Sequence, residues 1–218
     1  VSTTADHNTA VGNEALGANT TGTQNVAVGS LTLDAATTGG QNTAVGYQAL
    51  TDHTTASRNT AVGATAAGNT TTGENNTAIG STSLLVNTTG SDNTAVGMDA
   101  LRVNSTADGN TAVGKDAMKN NSTGTRNVAV GALALDANTT ANDNTAVGYG
   151  SLGVNTTGTE NVAFGGFSLD ANTEGDNNTA LGHGALSSNT TADNNTAVGR
   201  HALFATTTGS NNVAVGQI

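Results

Sequence analysis

Proline, cysteine and tryptophan are absent from this chain of 218 residues, and only Tyr47, Tyr149, Phe164, Phe167 and Phe204 are aromatic. Without cysteine no disulfide can brace the fold, and no redox compartment is implied. Without large rings a thick globular core has little to fill it, so the chain must either stay disordered or repeat a thin core many times. Charge is scarce as well: 6 basic against 16 acidic residues give a net charge of −10, with the basic ones scattered. That balance argues against a nucleic-acid partner. No apolar run approaches the roughly 20 residues of a membrane-spanning helix, so no membrane span is expected in this fragment.

Gly, Asn, Thr and Ala fill the space instead, and they do so in strict order. Asn stands at Asn8, Asn25, Asn42, Asn59, Asn76, Asn93, Asn110, Asn127, Asn144, Asn161, Asn178, Asn195 and Asn212, a spacing of 17 without an insertion or deletion. Counted from that Asn as position one, the unit reads N-[TV]-A-V-G-x-x-[small]-L-x-x-N-T-T-[GA]-x-[polar]. A strict period near 20 is the signature of a solenoid. Both ends cut through the pattern without an atypical capping unit, so the expected organisation is a single array over residues 1–218, thirteen 17-residue repeats drawn from a longer array.

Gly at position five in every copy, β-branched residues at positions two and four, and Asn-Thr-Thr-Gly punctuation are poor helix material. The pattern predicts an all-β parallel β-solenoid, a β-roll with one coil per repeat and coils about 4.8 Å apart. The expected coil has a strand at positions two to four, a glycine turn at five, a second short strand over seven to ten, and a return loop. Stacking explains the columns. Asn at position one can form an amide ladder, as in cross-β structure, and Asn also recurs at position twelve. Thr or Ser at position thirteen supplies a hydroxyl for loop backbone groups.

Alternation along the strand predicts that positions two and four face a dry interior shared with Leu at position nine. Position three then lies on the opposite face. It is Ala in all thirteen copies: Ala10, Ala27, Ala44, Ala61, Ala78, Ala95, Ala112, Ala129, Ala146, Ala163, Ala180, Ala197 and Ala214. Free exposure does not fix residue size, so this column is expected to pack against another layer, most simply another copy of the chain about a symmetry axis. The expected assembly is a homotrimer, with end-to-end filaments from open coil edges as a variant.

The five-residue run "NTAVG" or "NVAVG" resembles the "SVAIG"-type motif of YadA-like head repeats in trimeric autotransporter adhesins. "NTAVGYQAL…NTTG" arrays are similar to those of phage tail-fibre and other bacterial surface-fibre proteins. The resemblance covers the whole chain, though the unit here is longer by its "NTTG" loop and no neck, stalk or anchor pattern is read within these 218 residues. It implies a left-handed parallel β-roll, trimerised with the small residue facing the threefold axis.

Few residues invite chemistry. "GYGSLG" at 148–153 matches G-x-G-x-x-G without the strand-to-helix context that phosphate binding needs. Asp99 with Asp116, Asp143 with Glu160, and Asp176 with Asp193 share repeat positions in adjacent coils, which raises calcium binding or glycoside cleavage as options. His7, His53, His183 and His201 occupy four different repeat positions and read as solvated surface residues. No catalytic, cofactor or metal site is therefore assigned, and the chain is not read as an enzyme. The functional expectation is an extracellular structural or adhesive fibre segment at a cell surface or on a virion: a rigid rod whose variable outer face meets an unknown host-cell or surface receptor. Tyr47, Tyr149, Phe167, His183, Arg200 and His201 are the candidate contacts on that face. An ice-binding solenoid is the alternative raised by abundant Thr, although adjacent Thr-Thr pairs point oppositely. A polysaccharide-cleaving tail spike, using Asp99 or Asp116, is a third.

Overall fold

Each repeat opens its coil with one three-residue strand over positions two to four, and the glycine that follows ends it. In the computed structural model, which describes residues 4–217, the chain is an all-β parallel β-solenoid of 17-residue coils. It divides into two compact units, Val1–Gly109 and Asn110–Ile218. In the first, β1 (Thr9–Val11), β2 (Val26–Val28), β3 (Thr43–Val45), β4 (Thr60–Val62), β5 (Thr77–Ile79) and β6 (Thr94–Val96) pair in parallel and in chain order. In the second, β7 (Thr111–Val113), β8 (Val128–Val130), β9 (Thr145–Val147), β10 (Val162–Phe164), β11 (Thr179–Leu181), β12 (Thr196–Val198) and β13 (Val213–Val215) do the same. Every paired residue faces its equivalent 17 positions on, as in Ala146 opposite Ala163.

Position five takes glycine for two reasons that act together. Its φ lies between 126° and 140° throughout, a region that L side chains rarely adopt. A Cβ there would also strike the neighbouring coil: on Gly131 it would sit 2.5 Å from the Gly148 carbonyl oxygen.

The structure reverses the expected direction of the strand. Ala27, Ala44, Ala61, Ala78, Ala95, Ala112, Ala129, Ala146, Ala163, Ala180 and Ala197 are completely buried within the single chain. They point into the coil beside Leu33, Leu50, Leu84, Leu101, Met118, Leu135, Leu152, Leu169 and Leu186 of position nine, which are equally buried. Only Ala10 and Ala214, on the first and last strands, are more open. The alanine column is thus the inner wall and not an oligomer-facing one. Its size is fixed because a 17-residue coil is narrow: one leucine and two amide columns fill it, leaving room for a methyl group opposite. Positions two and four point outward. Val28, Val62, Ile79 and Val130 are each more than a third exposed, and Phe164 is half exposed.

Among the described residues no second strand forms over positions seven to ten; that stretch is a run of turns. Positions seven and nine both take the left-handed conformation, as in Gln48 (φ 53°) and Leu50 (φ 51°). Outside glycine that conformation costs about 1–2 kcal/mol per residue. Stacking holds it in place: the Leu50 amide donates to the Ala66 carbonyl of the next coil at 3.0 Å, and the Gln48 amide to Ser30 of the previous one at 3.1 Å. These turns aim position nine into the core and leave positions six, seven, ten and eleven along one outer edge.

Two buried asparagine columns complete the interior. At position one, the Asn side-chain oxygen accepts from the backbone amide of the next Asn, as Asn25 does from Asn42 at 2.9 Å. At position twelve the side chains bond directly, Asn155 donating to Asn138 at 3.4 Å and Asn172 to Asn155 at 2.9 Å. Both columns also donate to the position-fifteen carbonyl of their own coil, as Asn144 and Asn155 do to Gly158 at 2.8 and 2.9 Å. The position-thirteen hydroxyl donates to the equivalent carbonyl one coil on, Thr88 to Ser105 at 2.9 Å being typical.

Candidate ligand-contact edge

The outer edge built from positions six, seven and ten carries most of the large exposed side chains outside the sheet face. In the second unit they form one continuous series. Tyr149 meets Phe167 with ring centroids 5.3 Å apart, Phe167 meets His183 at 5.9 Å, His183 meets His201 at 5.8 Å, and His201 meets Phe204 at 5.0 Å. The contact between Tyr149 and Phe167 is edge-to-face, with planes inclined by 72°, the geometry that ring quadrupoles favour.

Glycine makes this series possible. Positions six and seven read Tyr149-Gly150, Gly166-Phe167 and His183-Gly184 in successive coils, so each ring lies over the glycine of a neighbour. A Cβ on Gly150 would approach the Phe167 ring to 3.3 Å, and one on Gly184 would approach His201 Cδ2 to 2.6 Å. Of the residues expected on the outer face, Tyr149, Phe167, His183 and His201 come together here, and Arg200 is exposed beside His201. Tyr47 is half exposed on the other unit.

A shallow open groove of about 250 Å³ lies at the start of the series, lined by Leu133, Asp136, Tyr149, Gly150, Gly153, Val154, Phe167 and Asp170. Asp136 and Asp170 stand at position ten in the coils on either side of Gly153. Burial pushes both carboxyls upward; the Asp116 charge raises Asp136 further, and Lys119 and His183 lower Asp136 and Asp170 respectively. One oxygen of each is shielded from water and accepts no hydrogen bond. The glycines of the G-x-G-x-x-G match have local roles: Gly148 is the repeat's own turn, while Gly150 and Gly153 leave the groove open.

Five of the six paired acids, all but Glu160, have partners for their side chains among the described residues. Asp99 accepts from the Thr82 hydroxyl at 2.6 Å and lies 3.5 Å from Arg102. Asp116 is held by Lys115 at 2.7 Å and Lys119 at 3.0 Å, which keeps its carboxyl below the usual range. Arg126 grips Asp143 with two bonds of 2.7 Å. Asp176 and Asp193 act as ladder members: the Asp193 carboxylate accepts the Asp176 backbone amide at 2.8 Å. Among the described residues, no group of three or more His, Asp or Glu is placed to hold a metal ion. No helix there is long and apolar enough to cross a membrane.

His53 departs from the surface reading. It is fully buried in the position-twelve column, where its Nε2 donates to the Ala56 carbonyl at 2.6 Å, the role that Asn plays elsewhere. Its Nδ1 has no partner, and burial lowers its pKa from the ordinary value. The signal is its register: His53 stands in the asparagine column.

No known family model, curated protein or solved structure matches this chain. The structure establishes a parallel β-solenoid repeat protein, and its function rests on its own surfaces.

Proposed function

We propose that this chain is a segment of an extracellular structural or adhesive fibre, resembling YadA-like head repeats, in which three copies pack through the outward face of the strands. The observation that supports this reading is the row at positions two and four. In each unit it sets apolar side chains and Thr side by side on an uninterrupted parallel sheet, and parallel sheets are ordinarily covered on both faces. The interior side is covered by the chain's own leucines; the outward side has nothing from its own coil across it. Further copies match such a row because each carries it at the same rise per coil, so rotation about an axis along the solenoid brings equivalent coils together at one level. Apolar patches of this continuity mark interaction sites on soluble proteins. The threefold number comes from the motif resemblance. The edge at positions six, seven and ten stays outside this interface and would carry receptor contacts.

Negative-stain imaging of the purified chain tests the proposal. Threefold end-on views are expected, and images of single narrow coil stacks would refute it.

One observation favours a second reading. Thr at position two and Val at position four project from the same face, two residues apart, at a regular rise, the ordered array that an ice-binding surface requires. Thermal hysteresis in a monomeric preparation would favour ice binding, whereas a stable assembly that hides the row would exclude it.

A further inference from the structure

The groove beside Tyr149 answers a question the fibre reading leaves open, namely what chemistry the outer edge accepts. We propose that it binds an organic ammonium group, seated against the Tyr149 and Phe167 rings and balanced by the carboxylates of Asp136 and Asp170. Four features carry this assignment. The two rings stand at 72° with centroids 5.3 Å apart, giving two walls of a corner. Gly150 and Gly153 remove the side chains that would fill that corner, at the positions where the flanking coils carry Leu133 and Phe167, and Asp136 and Asp170. The carboxylates stand two coils apart, about 10 Å at a rise of about 4.8 Å per coil, so a group bound between them lies within reach of both. Among the described residues, no cation lines the groove: Lys119, the nearest one felt by Asp136, is bound to Asp116 at 3.0 Å. On Asp170 its own backbone amide and His183 act favourably.

A neutral ligand would leave one shielded oxygen on each carboxylate without a partner, whereas an ammonium group meets them and also gains from the ring faces. At about 250 Å³ the groove is smaller than a drug-sized pocket, which typically runs to about 300–1,000 Å³, and suits a single small head group. The chain's charge of −10 favours the same sign of ligand. None of the lining residues belongs to positions two or four, so the groove remains open whether or not the sheet face is covered.

The test is an NMR titration of the intact chain, following the Tyr149 and Phe167 ring resonances. Choline and Nα-acetyl-lysine methyl ester are the probes, and 3,3-dimethylbutan-1-ol serves as the neutral isostere of choline. Saturable shifts are expected with one or both amines, the stronger response distinguishing a quaternary head group from a primary side-chain amine. Binding should weaken at least tenfold with the neutral isostere, with the double variant Asp136→Asn/Asp170→Asn, and with Tyr149→Leu, which keeps bulk but removes the ring. These changes are at exposed or isosteric positions and leave the fold intact. Equal binding of the neutral isostere, indifference to these substitutions, or no saturable shift at tens of millimolar would each overturn the assignment. None of those results bears on how the sheet face is covered.

Discussion

Asn178 and Asn189 share one acceptor: both side-chain amides donate to the Ala192 carbonyl, at 2.8 and 3.0 Å. The same three-way junction recurs at Ala141, where Asn127 and Asn138 meet at 2.8 and 3.2 Å. It ties the strand to the return loop inside every such coil, while the Asn-to-Asn bonds tie one coil to the next. A buried polar interior is stable only when its members are satisfied.

Replacing Asn138 by Ala removes its bonds to the Asn121 side-chain oxygen at 2.8 Å and to the Ala141 carbonyl at 3.2 Å, and takes away the oxygen that accepts from Asn155 at 3.4 Å. The expected loss is about 1–3 kcal/mol, read as a lower denaturation midpoint at unchanged slope. Asn189→Ala should cost less than Asn138→Ala, because Asn189 Oδ1 has no partner to lose. Equal losses at the two sites would contradict the ladder account.

Gly131→Ala should prevent correct stacking of its coil. The methyl group meets the Gly148 carbonyl at 2.5 Å on a residue with φ of 136°, so both space and conformation oppose it. A well-populated native fold by circular dichroism, melting within a few degrees of the parent, would contradict this.

Much of this architecture is legible in the repeat, because a fixed 17-residue register with glycine at one position permits little besides parallel stacking. The direction of the strand is not. In Thr-Ala-Val neither face is strongly polar, so alternation establishes only that Thr145 and Val147 share one side and Ala146 takes the other. Which side is inside depends on how little room Leu152 leaves, a fact of packing. The left-handed turns at Gln48 and Leu50 stay hidden because neither residue type announces such a conformation. By contrast, the ring series is readable in the exchange of ring and glycine between Tyr149-Gly150 and Gly166-Phe167.

His53 makes stability depend on pH. Burial lowers its native pKa, so below about pH 6.5 the unfolded chain takes up a proton that the native chain resists. The stability that this residue allows is complete above the unfolded value and is lost as pH falls through it towards the native one, by at most about 1.4 kcal/mol per pH unit. His53→Asn, which restores the residue common to the column, should flatten the denaturation profile between about pH 7 and 5. A variant profile that keeps the parent's slope would show that the loss arises elsewhere.

The central claim is that the outward row at positions two and four is a self-association surface, and sedimentation equilibrium tests it most directly. The parent chain should sediment at three times its mass of 21.2 kDa. The variant Val130→Asp/Val147→Asp, altered only on the outward face, should sediment as a folded single chain. A monomeric parent, or a variant that still assembles, would contradict the account.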